Sequence, residues 1–172
     1  MTLLALLLLA LVIFIVTRQS DEFRVTRQLL IHAPADKIFP LVNTTRDWEQ
    51  WSPWAKLDPS AIMRYDGPDA GVGASFAWDG SNKVGKGRNT VVDSVPNQLI
   101  HFRLEFEKPM QNTNTAEFLF TPVGDATMVS WTMVGPANLM SKLMGLVMNC
   151  HDMCGNQFDK GLAAIKSIAE RA

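Results

Sequence analysis

Residues 137–170 form the stretch that most constrains the fold of this chain. Apolar or weakly polar side chains recur there at steps of three and four, which gives one continuous stripe along a helix. The stripe consists of Met140, Leu143, Met144, Val147, His151, Cys154, Phe158, Leu162, Ile165 and Ala169. A helix of about 34 residues is roughly 50 Å long at ~1.5 Å per residue. Such a helix needs a packing surface of comparable length elsewhere in the chain.

The residues before this helix predict that surface. Alternating apolar and polar side chains indicate strands at 23–31, 61–67, 73–80, 83–95, 99–107, 114–122 and 126–135. A helix is expected from about Ala35 to Asn43, and a second short helical piece at 46–50, which Pro53 should end. One apolar and one polar face per strand predicts an antiparallel sheet with one wet side. The sequence therefore predicts an α+β domain in which a curved sheet grips the long helix and leaves a cavity beside it.

An uncharged apolar run precedes this domain at residues 2–16. Its length falls short of the roughly 17–25 residues of an ordinary spanning helix, but Arg18 can extend its reach by snorkelling. A cleaved signal peptide and a buried core helix are alternatives; the segment lacks a basic start and a clear cleavage site. We expect an uncleaved anchor at 1–17, a linker at 18–22 and one domain at 23–170. Because Arg18, Arg24 and Arg27 all follow the run, the domain is expected in the cytoplasm.

Charge and cysteine content exclude several classes of protein. The net charge of −1 leaves no basic footprint for nucleic acid. Cys150 and Cys154 lie one helical turn apart, so a disulfide between them would cross-link nothing, and free thiols are expected. With His151 they form no complete zinc set, because no second Cys/His cluster exists. The glycines around Lys86 lack phosphate-loop spacing and indicate a bend in a strand. No metal and no cofactor are expected.

Several segments in this order resemble one superfamily. They are APADKIFPLVNTTRDWEQWSPW, YDGPDAGVGASFAWDG, KVGKGRNTVVDSVPNQLI, NTAEFLFTPVGDATMVSWTMVGP and MSKLMGL…FDKGLAAIK. They are similar to the SRPBCC superfamily, which has the START and birch-pollen-allergen helix-grip fold, and within it to bacterial polyketide cyclase/dehydrase and lipid-transport-like proteins. The resemblance implies a helix-grip fold of about seven strands, with two short helices after the first. It implies no single function, because the superfamily includes lipid carriers, receptors, cyclases, chaperone co-activators and quinone-binding proteins.

The candidate ligand-binding residues are the aromatic and apolar side chains expected to face the cavity. They are Trp48, Trp51, Trp54, Phe76, Trp78, Phe102, Leu104, Phe106, Phe118, Trp131, Met133, Met140, Met144, Val147 and His151. The tryptophans at 48, 51 and 54 have two interpretations: they hold the short helices on the sheet, or they line the mouth of a pocket. His151 also has two interpretations: it packs in the core, or it is the main polar group of the cavity.

Three hypotheses about function follow. The first is a membrane-anchored module that binds a hydrophobic small molecule or lipid in the cavity. The second is a cyclase/dehydrase-type enzyme with His151 as general acid/base. The third is a protein-interaction domain similar to a co-chaperone. The first is favoured because only one plausible catalytic side chain is expected to point inward.

Overall fold

The computed structural model describes residues 14, 15, 17, 18, 20–137, 142 and 150–171. Most of the expected anchor at 1–17 lies outside this set, as do Met140, Met144 and Val147, and the side chain of His151. Within the described residues, no helix has both the length and the apolar character needed to cross a bilayer.

The described elements follow the predicted order. The strands are β1 (Glu22–Ile31), β2 (Ile62–Asp66), β3 (Ser75–Asp79), β4 (Lys86–Val95), β5 (Leu99–Lys108), β6 (Asn112–Val123) and β7 (Ala126–Pro136). The helices are α1 (Ala35–Asn43), α2 (Trp48–Trp51), α3 (Pro53–Leu57) and α4 (Cys150–Ala169), with a 3₁₀ turn at Thr45–Asp47.

The strands form one antiparallel seven-stranded sheet in the order β1-β7-β6-β5-β4-β3-β2. The predicted inward faces are confirmed on β5, β6 and β7. Their buried inward side chains are Ile100, Phe102, Ala116, Phe118, Phe120, Val129, Trp131 and Met133. The register between β4 and β5 shifts at Lys86/Gly87 and again at Val91/Asp93, and such bulges bend a sheet. This is the predicted α+β helix-grip architecture.

The segment between α1 and β2 differs from the prediction. The expected helix at 46–50 is a 3₁₀ turn followed by α2, and it ends at Trp51, before Pro53. Pro53 then begins another helix, α3, which the sequence analysis missed. A proline fits the first helical position because its missing N–H has no partner there in any case. Pro53 therefore separates two short helices.

Helix α4 closes the inner side of the sheet. Its described stripe is buried through Phe158, Leu162, Ile165 and Ala169. The ring of Phe158 stacks on Trp131 of β7, with centroids 4.1 Å apart and planes within 3°. The main contacts of α4 are with β1, with fewer to β7 and to the short helices. The described part of the helix thus covers the inner face of the sheet near β1 and β7.

One charged side chain lies on the inner face under this helix. Arg27 occupies an inward position of β1, and its Nε lies 3.3 Å from Asp159 Oδ2 of α4. A Cβ on Gly155 would lie 2.1 Å from Arg27 Nη2, so the glycine leaves the room that the guanidinium occupies. Lys166 Nζ also donates to the Leu30 carbonyl at 2.9 Å. Polar contacts thereby fix α4 along β1.

Replacing Phe158 with alanine should destabilise the domain strongly. Phe158 is 1% exposed, and loss of a buried phenyl ring costs about 3–5 kcal/mol through lost transfer energy and the cavity left behind. The free energy of unfolding in urea measures the effect. Met153→Ala on the same helix is the matched control, because Met153 is 56% exposed and its change should stay within about 0.5 kcal/mol. A Phe158→Ala variant as stable as the control would contradict the packing described here.

Candidate functional site

The inner face of the sheet carries a connected cluster of aromatic rings. Trp48 lies at its centre, with ring centroids 5.3 Å from Phe76 and 5.2 Å from Phe102. Trp48 is 7% exposed and Trp51 is 0% exposed. Their indole N–H groups donate to the α1 carbonyls of Val42 at 2.8 Å and Leu41 at 2.7 Å. Both tryptophans are therefore core residues that hold α2 against α1 and the sheet.

The third tryptophan of this series lies at the rim. Trp54 is partly buried, and its ring meets Trp131 edge-on at 5.7 Å and Phe158 at 6.1 Å. Trp131 in turn stacks on Phe118 with centroids 4.6 Å apart. The aromatic packing is thus dense beneath α4, between the short helices and β7.

The inner face of β2, β3 and β5 is less completely covered. Apolar side chains at inward positions remain partly exposed there: Met63, Tyr65, Trp78, Leu104 and Phe106. Trp78 meets Phe106 edge-on at 5.8 Å, and its indole N–H donates to the Val84 carbonyl at 3.0 Å. We call this set of five side chains the open aromatic face. The backbones of the strands that carry it have few or no close approaches to the described part of α4.

Gly87 shapes this face. A Cβ at Gly87 would lie 2.6 Å from Trp78 Cζ2, so only a glycine lets the indole lie across β4. Gly87 also adjoins a register shift, and Gly85 has a positive φ of 68°. The bend that the sequence predicts at these glycines is confirmed. The position of the Trp78 indole across Gly87 was not predictable from the spacing of the glycines.

Tyr65 is fixed at the edge of the open aromatic face by two partners from the helical segment. Its hydroxyl donates to a Glu49 carboxylate oxygen, and the Arg46 guanidinium lies 4.3 Å from the centre of its ring. Burial, and then the hydrogen bond to the Glu49 carboxylate, raise the pKa of Tyr65. The side chain is therefore a neutral phenol at physiological pH and does not serve as a base.

Two asparagines also occupy the inner face, and the sequence analysis did not select them. Asn89 on β4 is 2% exposed and Asn114 on β6 is 6% exposed. Their inward phase could have been read from the strand alternation, since Val91 and Ala116 lie two residues further along the same strands. Asn89 Oδ1 and the indole nitrogen of Trp131 are buried without hydrogen-bond partners among the residues that the structure describes.

The helix side of the predicted cavity lies outside the described residues. Met140, Met144 and Val147 belong to that part, as does the side chain of His151, so their proposed contacts with a ligand stay predictions. Cys154 is partly buried. Among the described residues no three His, Cys, Asp or Glu side chains converge as a metal site would require.

A shallow depression of about 360 Å³ lies on the opposite, outer face of the sheet. Its side chains have outward phase and include those of Arg24, Thr115 and Thr132. His101 at its border lies 2.7 Å from Glu117 Oε2 and 3.6 Å from Asp93 Oδ2. These three side chains are cross-strand neighbours on the outer face of the sheet.

Comparison with known proteins identifies the family. The chain belongs to the family described as polyketide cyclase/dehydrase and lipid transport, whose model matches residues 22–170. A comparison with proteins of curated function gives no significant match.

Solved structures give the same fold. The Aha1 dimer from Colwellia psychrerythraea is 17% identical with a TM-score of 0.61, over 86% of this chain and 96% of that one. Protein MLL2253 from Mesorhizobium loti is 14% identical with a TM-score of 0.64, over 87% and 98%. The di-domain ARO/CYC BexL from the BE-7585A biosynthetic pathway is 16% identical with a TM-score of 0.62, over 92% of this chain and 53% of that protein. At these identities the likeness defines the fold.

Tyr65 should titrate well above the usual tyrosine pKa of about 10. The chain contains a single tyrosine, so the ultraviolet absorbance of tyrosinate reports on this residue alone. Because the pKa of Tyr65 is raised in the folded state, its protonated hydroxyl contributes to the stability of the fold. This contribution is fully present below pH ~10 and is lost as the pH rises through the raised pKa.

Glu49→Gln is the matched variant for this titration. It removes the carboxylate charge and keeps an acceptor oxygen, so the pKa of Tyr65 should fall toward the usual value while burial keeps it elevated. Circular dichroism at each pH checks that the chain remains folded. Titration of the folded wild type at the usual tyrosine pKa would show that Tyr65 is solvated and not bound to Glu49.

Proposed function

We propose that this protein binds a hydrophobic small molecule or lipid between the inner face of its sheet and its C-terminal helix. The observation that carries the proposal is the open aromatic face defined above, with Trp78 and Phe106 at its centre. Large apolar side chains that remain partly exposed on an inward sheet surface are what an apolar ligand would cover. Covering such surface contributes about 25 cal/mol per Å² removed from water.

The family supports the general part of this proposal, that the chain binds a hydrophobic molecule. The family description includes lipid transport as well as polyketide cyclases and dehydrases. Lipids and polyketides are both bulky molecules with mostly apolar surfaces. The packed half of the core beneath α4, with Trp48 and Phe158, supplies a rigid wall. The open aromatic face supplies side chains that can meet a ligand without unfolding that core.

We also propose that the run at residues 2–16 anchors the domain to a membrane, with the domain on the cytoplasmic side. The run is uncharged, and Arg18 follows it closely. A tether would keep the domain near the bilayer, in which hydrophobic ligands collect. N-terminal sequencing of the membrane-extracted protein should therefore begin near residue 1. A sequence that begins at residue 18 or later would contradict the uncleaved anchor.

A cyclase or dehydrase activity is the second candidate. It is favoured by the family description and by the fold shared with the di-domain ARO/CYC BexL. His151 remains the proposed acid/base of that reaction. Turnover of a polyketide-like substrate that disappears in His151→Phe while the substrate still binds would favour the enzyme over the binding module.

Met144→Trp should block the proposed cavity. Met144 belongs to the predicted helix stripe, and an indole there would occupy the space of a ligand. An environment-sensitive apolar dye added to the full chain in mild non-ionic detergent should bind the wild type. Its affinity for the variant should fall by at least about tenfold, the effect of roughly 1.4 kcal/mol.

Met153→Trp is the matched control, because Met153 is exposed on the same helix. It makes the same substitution outside the proposed cavity and should leave dye binding unchanged. Equal dye affinity in Met144→Trp and in the control would overturn either the inward phase of Met144 or the cavity itself. Thermal unfolding of both variants monitors the fold.

A further inference from the structure

The inner face of the sheet carries two buried polar groups without a partner among the described residues, Asn89 Oδ1 and Trp131 Nε1, and Asn89 Oδ1 is the acceptor of the two. Asn89 is 2% exposed and lies between two apolar cross-strand neighbours, Phe76 of β3 and Leu104 of β5. Its Oδ1 accepts no hydrogen bond from any described residue. A buried amide oxygen without a donor destabilises the folded state, so native proteins rarely keep one without a use.

A second buried amide lies in the same cross-strand row. Asn114 pairs with Leu104 from the other side, so Leu104 separates the two asparagines. At ~4.8 Å per strand the two asparagine Cα atoms are about 10 Å apart. Asn114 Oδ1 accepts from Asn112 Nδ2 at 3.0 Å, whereas Asn114 Nδ2 reaches only the sulfur of Met133 at 3.7 Å. We call Asn89, Leu104 and Asn114 the amide row.

The strand positions around the amide row are apolar and uncharged, and the charged side chains of Arg46 and Glu49 contact Tyr65 at the edge of the open aromatic face. Aromatic side chains flank it, and Leu104 itself belongs to the open aromatic face. On the described strands β2 to β7, no inward position carries a charged side chain. Arg27 on β1 is inward, but Asp159 neutralises it under α4. A carboxylate or phosphate bound here would find no counter-charge on these strands and would lose its hydration.

We propose that Asn89 Oδ1 accepts a hydrogen bond from a hydroxyl group of the ligand, and that the ligand is a neutral hydrophobic alcohol or phenol. This inference rests on the proposed function, since it names the class of ligand for the same cavity. The ligand hydroxyl supplies the donor that the described residues do not, and the apolar body covers the open aromatic face. The protein then discriminates between ligands with and without the hydroxyl, because an analogue that lacks it leaves Asn89 Oδ1 buried and unpaired.

A matched pair of probes tests the proposal: 2-naphthol, which has the hydroxyl, and 2-methoxynaphthalene, in which a methyl group replaces the donor hydrogen. Calorimetric titration of the full chain in mild non-ionic detergent, corrected against protein-free micelles, gives both affinities. Wild-type protein should bind the naphthol at least about fivefold more tightly. Asn89→Leu should abolish that preference, bind the methyl ether at least as well as wild type does, and unfold at a higher temperature.

Thr90→Val is the matched control, because Thr90 is the next residue of β4 and has outward phase. It should keep the preference for the naphthol. Equal affinities of wild type for the two probes would overturn the role of Asn89, and this comparison needs no variant. Binding of the apolar dye with equal probe affinities would overturn the hydroxyl inference alone. Failure of the dye and of both probes to bind wild type would overturn both the proposed function and the hydroxyl inference.

Discussion

The contact between Trp131 and Phe158 is the interaction on which the rest of the architecture depends. The two rings lie parallel, 4.1 Å apart, and join the last strand of the sheet to the C-terminal helix. Trp131 also stacks on Phe118, so the ring of α4 continues an aromatic stack that begins on β6. A Cβ at Gly161 would lie 2.7 Å from Trp131 Cζ3, so the glycine permits this close approach. Offset and stacked aromatic contacts of this kind contribute about 0.5–1.5 kcal/mol beyond their burial.

This stack divides the inner face into two regions with different properties. Beneath α4 the core is filled, because Trp48 and Trp51 pack into it and their indole N–H groups are satisfied by α1 carbonyls. Toward β2 and β3 the apolar side chains are partly exposed, and the amide row lies on the neighbouring strands β4, β5 and β6. A closely packed half and an incompletely covered half suit a binding protein, because the first half maintains the fold while the second meets the ligand.

Much of this architecture could be predicted from periodicity. The alternation of β5 places Ile100 and Phe102 inward, and the helical stripe places Phe158 and Leu162 inward, and all four are buried. These predictions succeed because strand and helix periods depend only on local geometry. The family resemblance then gave the connection between the elements, which the family match confirms.

The features that escaped prediction depend on contacts between distant segments. Arg27 is inward on β1 although it is charged, and only the opposing Gly155 and Asp159 make that position acceptable. Pro53 is a local exception, since it begins a helix after Ser52 adopts an extended conformation. Asn89 has the phase of a core residue and the chemistry of a surface one. Sequence alone could not tell whether another element supplies its partner.

The central claim is that a hydrophobic molecule occupies the space between the sheet and the C-terminal helix. Native mass spectrometry of the full chain, released from detergent micelles in the gas phase, tests it most directly. We predict a population whose mass exceeds that of the polypeptide by one small apolar molecule, which organic extraction then recovers. A chain that carries only its polypeptide mass, and that gains none when incubated with a lipid extract of its host, would contradict the account.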